Sequence, residues 1–74
     1  SPTKESLVAM AESERQHRLA VATATIAPLQ DAVELGMATE EEKIRYASWR
    51  KYRVLLSRVD TTTAPSIVWP PEPE

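Results

Sequence analysis

Three groups of residues in this sequence have the types and spacing for chemistry. Glu40, Glu41 and Glu42 stand in a row. Paired carboxylates can serve as general acid and base, but that work needs two groups held in a pocket with separated pKa values. This run instead follows Thr39, where acids complement the positive end of a helix dipole and Glu42 can close a capping box. His17 is the one imidazole, set among Glu14, Arg15, Gln16 and Arg18, and reads as a surface residue. With one His and no Cys, neither a Cys/His metal cage nor a disulfide can form. No nucleophile–base arrangement, glycine-rich loop or metal-ligand spacing is present. The expectation is a non-enzyme with no catalytic, cofactor-binding or metal residues.

The third group is basic. Lys43, Arg45, Arg50, Lys51, Arg53 and Arg58 have no acid among them and are interleaved with Trp49 and Tyr52. That is the composition of a nucleic-acid contact. At about 100° per residue, however, the six charges spread around most of a helix instead of forming one stripe. Basic residues late in a helix also suit its dipole. The overall net charge of −2 gives no global pull towards nucleic acid or acidic membranes. A small nucleic-acid-binding hairpin is therefore the alternative function, and strong salt dependence of DNA binding would distinguish it.

The elements that position these residues are helical. Ser1 is a candidate N-cap, with Pro2 at the first helical position. Small and apolar residues recur at Val8, Ala11, Leu19, Ala22, Ile26, Leu29 and Val33, the seam of a helix packing along its length. Arg15 falls on that seam and is either a paired buried charge or, more often for such a residue, a snorkelling side chain. Pro28 removes one hydrogen bond, so the helix either kinks there or ends. The seam stays in phase across it, which favours a kinked, continuous helix over about residues 2–35. Gly36 stands where a left-handed C-terminal residue belongs, with Met37 behind it to cover the last turn. Thr39 and Glu42 open a second helix, about residues 40–59, whose inward face is Ile44, Ser48, Tyr52, Leu55, Leu56 and Val59, with Trp49 at one edge. The short turn makes the two helices antiparallel neighbours.

Residues 60–74 hold four of the six prolines and read as an extended, polyproline-like tail. The spacing of Ile67 and Trp69 points them the same way, and the expectation is that they pack on helical surface near Trp49, Tyr52 or Leu56, in the same chain or an adjacent one. The fold expected is thus all-α: a helical hairpin over residues 1–59 with an extended Pro-rich tail over 60–74. The first helix would be about 50 Å long and the second about 29 Å, so the start of the first overhangs. Leu7, Val8, Met10 and Leu19 would then lie open, and an open apolar stripe predicts oligomerisation. A 74-residue chain without disulfide or metal points the same way. Expected contact residues are Leu7, Val8, Leu19, Trp49, Tyr52, Leu56, Ile67 and Trp69; Pro28, Gly36, Thr39 and Glu42 are structural. The apolar runs are too short to cross a bilayer, and no signal-peptide pattern appears. The sequence opens Ser1-Pro2-Thr3 rather than with Met, which predicts a piece of a longer product.

One ordered set of residues carries a resemblance. It runs Ile26-Ala27-Pro28-Leu29-Gln30-Asp31-Ala32-Val33-Glu34-Leu35-Gly36, then Ala38-Thr39-Glu40-Glu41-Glu42, then Trp49-Arg50-Lys51-Tyr52-Arg53-Val54-Leu55-Leu56-Ser57-Arg58-Val59-Asp60. It closes with Ala64-Pro65 and Trp69-Pro70. Over residues 5–71 the chain resembles the C-terminal region of tail-fibre assembly proteins of tailed phages and prophages. The resemblance implies a non-enzymatic chaperone that engages the C-terminal tip of a phage tail fibre and helps its three chains assemble. It implies that this helical region serves multimerisation, and that the variable N-terminal region, which contacts the fibre, is absent here. Action is then expected in the cytoplasm of the infected or lysogenic host, with retention on the virion in some phages. No cofactor, nucleic acid or membrane enters that expectation.

Overall fold

Thr3, not Ser1, caps the first helix. Its side chain accepts from the Ser6 backbone N–H at 3.1 Å, and helix α1 runs Lys4–Glu34. Ser1 and Pro2 lie ahead of the helix because a threonine hydroxyl three residues before Ser6 can satisfy one of the free first-turn donors. The computed structural model describes residues 1–74, and helix α1 passes through Pro28 without a break. Gly36 ends it with φ +69°. The Gly36 N–H donates to the Val33 carbonyl at 3.1 Å and the Met37 N–H to the Ala32 carbonyl at 2.8 Å. Those are the paired bonds of a Schellman ending, which requires a left-handed residue where Gly36 stands. Met37 does not cover the turn: it is 73% exposed.

Helix α2 spans Glu40–Ser57 and starts with both halves of the capping box. The Glu42 N–H donates to Thr39 Oγ1 at 3.1 Å and the Thr39 N–H donates to Glu42 Oε1 at 2.9 Å. Thr39→Ala should lower stability by about 1 kcal/mol, the ordinary cost of losing such a cap. Thermal melting followed by circular dichroism measures it, and an unchanged melting curve would show the box contributes nothing.

The helices pack side by side as an antiparallel hairpin, 52 Å in its longest dimension. Ala22, Ile26 and Leu29 of α1 meet Trp49, Tyr52 and Leu56 of α2 to form the core, with Leu19, Tyr46 and Trp69 packed against it. The α1 seam is the one its spacing predicts. The α2 face is rotated: Ile44 is 67% and Leu55 41% exposed, Ser48 is exposed, and Trp49 is buried at the centre. Turning α2 this way gives Trp49, the largest apolar side chain on the helix, the burial that Ile44 would otherwise have taken. The rings of Trp49 and Tyr52 meet edge to face, 5.5 Å between centroids.

The tail departs from the sequence expectation in its first residues. Thr61–Thr63 form a 3-10 turn, started by the Asp60 carboxylate accepting from the Thr62 N–H at 2.9 Å. This turn packs on α1, burying Thr61 and Ala64, and the Lys4 ammonium donates to the Ala64 carbonyl. The overhang of α1 is therefore not bare. Leu7, Val8 and Leu19 are half-buried, and of the expected open stripe only Met10 is strongly exposed, at 64%. The chain leaves α2 by turning along α1, past Glu12 and towards Lys4. From there it runs back along α2 until the Arg45 guanidinium donates to the Glu74 carbonyl at 2.8 Å. No helix is long and apolar enough to cross a membrane.

Candidate functional site

Two features organise the surface: a polar clasp that joins three elements, and a groove that the tail fills. The clasp centres on Glu12 and Arg15. Arg15 Nη2 donates to both carboxylate oxygens of Glu12, at 2.6 and 2.8 Å. Its Nη1 donates to the Ser57 carbonyl at 3.2 Å. Ser57 is the last residue of α2, so this carbonyl has no partner within the helix, and a cation there also matches the negative end of the dipole. Thr61 Oγ1 donates to Glu12 Oε2 at 3.3 Å. One carboxylate and one guanidinium thereby tie α1, the end of α2 and the 3-10 turn together. Of the two readings open for Arg15, the paired charge holds rather than the more frequent snorkelling side chain. The Glu12 half of the pair is legible at its three-residue helical spacing; Ser57 and Thr61 are distant in sequence and carried no signal.

The clasp has an acid dependence with a defined sign. Hydrogen bonds from Arg15, then Gln16, hold the Glu12 carboxyl below its ordinary value near 4.5. Hydrogen bonds from Thr62, side chain then backbone, hold Asp60 below its ordinary 3.8. A lowered folded-state pKa means the carboxylate stabilises the fold fully above the ordinary value, and this contribution is lost as pH falls through the lowered one. The melting temperature should therefore fall as pH drops below the ordinary carboxylate values of 4.5 and 3.8. Glu12→Gln should flatten that slope and leave the part that Asp60 contributes. An identical slope in Glu12→Gln would remove Glu12 from the clasp.

The groove is lined by both helices. Trp69 is half-buried against the core, and the Arg18 guanidinium carbon sits 4.5 Å from its ring centroid, within cation–π range. Ile67, Pro70 and Pro73 are half-buried as well. Glu72 lies beside Glu14, His17, Arg18, Val21 and Tyr52, and Pro71 and Pro73 beside Ser48, Lys51, Tyr52 and Leu55. His17 is exposed at the mouth of this region. Glu40 pairs with Lys43 at 3.0 Å at the helix start, away from any acid–base partner. No three His, Cys, Asp or Glu residues come together.

The expected contact residues divide accordingly. Trp49, Tyr52 and Leu56 are buried in the core, closed to a partner in this form. Leu7, Val8, Leu19, Ile67 and Trp69 are half-buried, Leu19 and Trp69 against the core. The most exposed large apolar side chains are others: Leu35 at 72%, Met37 at 73% and Ile44 at 67% near the helical turn, Val68 at 92% on the tail, and Met10 on the overhang. Three of the six basic residues between Lys43 and Arg58 make contacts inside the chain: Lys43 with Glu40, Arg45 with the Glu74 carbonyl, and Arg50, 5.0 Å from the Tyr46 ring centroid. The Trp49 indole N–H is buried without a hydrogen-bond partner.

Comparison with known proteins finds matches along the whole chain. The family described as Caudovirales tail fibre assembly protein, lambda gpK, matches residues 1–74. The tail fiber assembly protein of Escherichia phage lambda is 54% identical over 63 residues, covering 85% of this chain and 32% of that protein. A probable tail fiber assembly protein of Shigella phage SfV is 49% identical over 74 residues, covering 100% of this chain and 42% of that protein. A third, from Acyrthosiphon pisum secondary endosymbiont phage 1, is 47% identical over 72 residues, covering 97% of this chain and 46% of the relative. The chain thus spans between about a third and a half of the length of these relatives. No solved structure matches it.

Proposed function

The chain belongs to the Caudovirales tail fibre assembly protein family, and from that premise we propose that it is the helical assembly segment of a tail-fibre chaperone. It promotes folding and trimeric assembly of a phage tail fibre by protein–protein contact rather than by catalysis. The family match over all 74 residues carries this reading. Relatives from phage lambda and from Escherichia coli (strain K12) bear the names tail fiber assembly protein and prophage tail fiber assembly protein homolog. In this reading the segment multimerises, and the longer protein engages the tip of the fibre. Leu35, Met37 and Ile44, exposed near the turn, are the apolar side chains offered for such contacts. The basic residues between Lys43 and Arg58 do not favour the nucleic-acid alternative, since three of the six are engaged within the chain.

Co-expression tests the chaperone role. The full-length protein carrying this segment, produced with its tail fibre, should raise the yield of soluble trimeric fibre. The same yield with and without it would end the proposal. Sedimentation over a concentration series tests multimerisation separately, and a single monomeric species throughout would remove that role from this segment.

A further inference from the structure

Residues 64–74 lie on the helices as a bound peptide lies on its receptor. Beyond Ala64 the backbone–backbone hydrogen bonds of the tail are local, from Ser66 to Thr63 and from Ile67 to Pro65. No backbone–backbone bond ties residues 68–74 to either helix. Side chains hold them: Trp69 against the core, Arg18 against its ring, and Arg45 on the Glu74 carbonyl. Pro70, Pro71 and Pro73 keep the end of the segment extended whether bound or free, so little entropy is lost on seating it. Tyr52 borders the groove along both Glu72 and the Pro71–Pro73 stretch. An aromatic-lined groove receiving an extended proline-rich segment is one of the general modes of peptide recognition.

We propose that the groove between α1 and α2 is a recognition site for an extended Trp-Pro-Pro segment, filled here by the chain's own tail and open to the tail of a second copy by exchange. The seated sequence supplies the argument for this occupant, because a second copy offers the same Trp69, the same prolines and the same Glu74 carbonyl. The 3-10 turn at Thr61–Thr63 separates the seated residues from α2 and supplies the place where the path diverges. Exchange creates no new contact type, so protein concentration decides between the closed and exchanged forms. The inference stands on the groove alone and does not require the tail-fibre role.

The test uses the whole chain. A labelled peptide of residues 64–74 is titrated onto the wild-type chain and onto Trp69→Ala, in which the tethered tail has lost its anchor. Binding to the variant should be saturable and at least about tenfold tighter than to wild type, whose groove faces a tethered competitor at an effective concentration on the order of millimolar. Adding Arg18→Gln should weaken it severalfold. Trp69→Phe provides the same comparison if the alanine variant loses its helical signal. Equal binding to wild type and variant, or none to a folded variant at millimolar peptide, overturns the site. Exchange is read by mixing copies carrying a donor dye at Glu72→Cys with copies carrying an acceptor at Ala47→Cys. Energy transfer should rise with concentration and disappear when the donor copy also carries Trp69→Ala. Transfer indifferent to that substitution means the copies meet by another face, and overturns exchange.

Discussion

Leu56→Ala is expected to lower the unfolding free energy by about 2–5 kcal/mol, the range for removing a large aliphatic side chain from a packed interior. Leu56 is 0% exposed and sits in the cluster with Ile26 and Trp49. The cost has two parts, lost transfer of the removed atoms and a void that two helices can only partly close. A small domain has about 5–15 kcal/mol in total, so the variant is expected to sit near its unfolding threshold. Leu55→Ala is the matched control. Its side chain carries the same atoms but the residue is 41% exposed, so less apolar area returns to water and no sealed cavity forms. Urea denaturation of the pair gives the comparison. Equal midpoints would mean that the core does not centre on Leu56.

That pair also shows where the sequence was legible. Leu55 and Leu56 are adjacent, and spacing alone admitted both to the inward face. A helix pattern fixes which residues share a face, but the rotation of that face against a neighbour is decided by the largest groups. Here Trp49 and Tyr52 take the centre, and Ile44 is turned out. The α1 seam was readable because it carries one unambiguous row, from Leu19 through Ala22, Ile26 and Leu29 to Val33. The Thr39–Glu42 box and the Gly36 ending were readable because their physics is local, within a few residues of backbone. The same locality explains the misplaced start of α1: Ser1 and Thr3 both have capping hydroxyls, and only the seating of the first turn distinguishes them.

The tail and the clasp were legible only in part. Proline content showed that the tail is extended, and the two-residue spacing of Ile67 and Trp69 showed a shared side. The Asp60-capped turn that sends the chain along α1 has a local signal, an Asp with a hydroxyl residue two positions later, but it was masked by the prolines that follow. The contacts of Arg15 with Ser57 and of Arg45 with Glu74 join residues 42 and 29 positions apart, and no spacing rule reaches that far. Missing the turn had a consequence for the assembly argument, since the turn half-covers the overhang whose bareness had predicted self-association. The exposed apolar residues at Leu35, Met37 and Ile44 now hold that place.

Pro28→Ala is expected to raise stability by about 2 kcal/mol while reducing fibre assembly. Proline in a helix interior is about 3 kcal/mol less favourable than alanine. It removes the donor that the Ala24 carbonyl would meet and crowds that carbonyl with its ring. Against this, proline restricts the unfolded chain, a contribution of about 0.4–1 kcal/mol that the alanine variant gives up. The difference leaves a net gain for alanine. Pro28 is itself exposed, so the exchange opens no cavity. Its neighbours Ile26 and Leu29 are core residues, so any change in the local path of α1 is felt where the two helices meet. A residue that costs stability at such a point is offset by a shape the protein uses, and the hypothesis is that this shape sets how the long helix meets its partners. Thermal melting of the variant should show more helix and a higher midpoint. Co-expression of the full-length variant with its fibre should give less assembled trimer, with a changed oligomer distribution in sedimentation. A stabler variant that assembles fibre as well as wild type would show that Pro28 has no part in assembly, and a less stable one would show that α1 depends on the path Pro28 imposes.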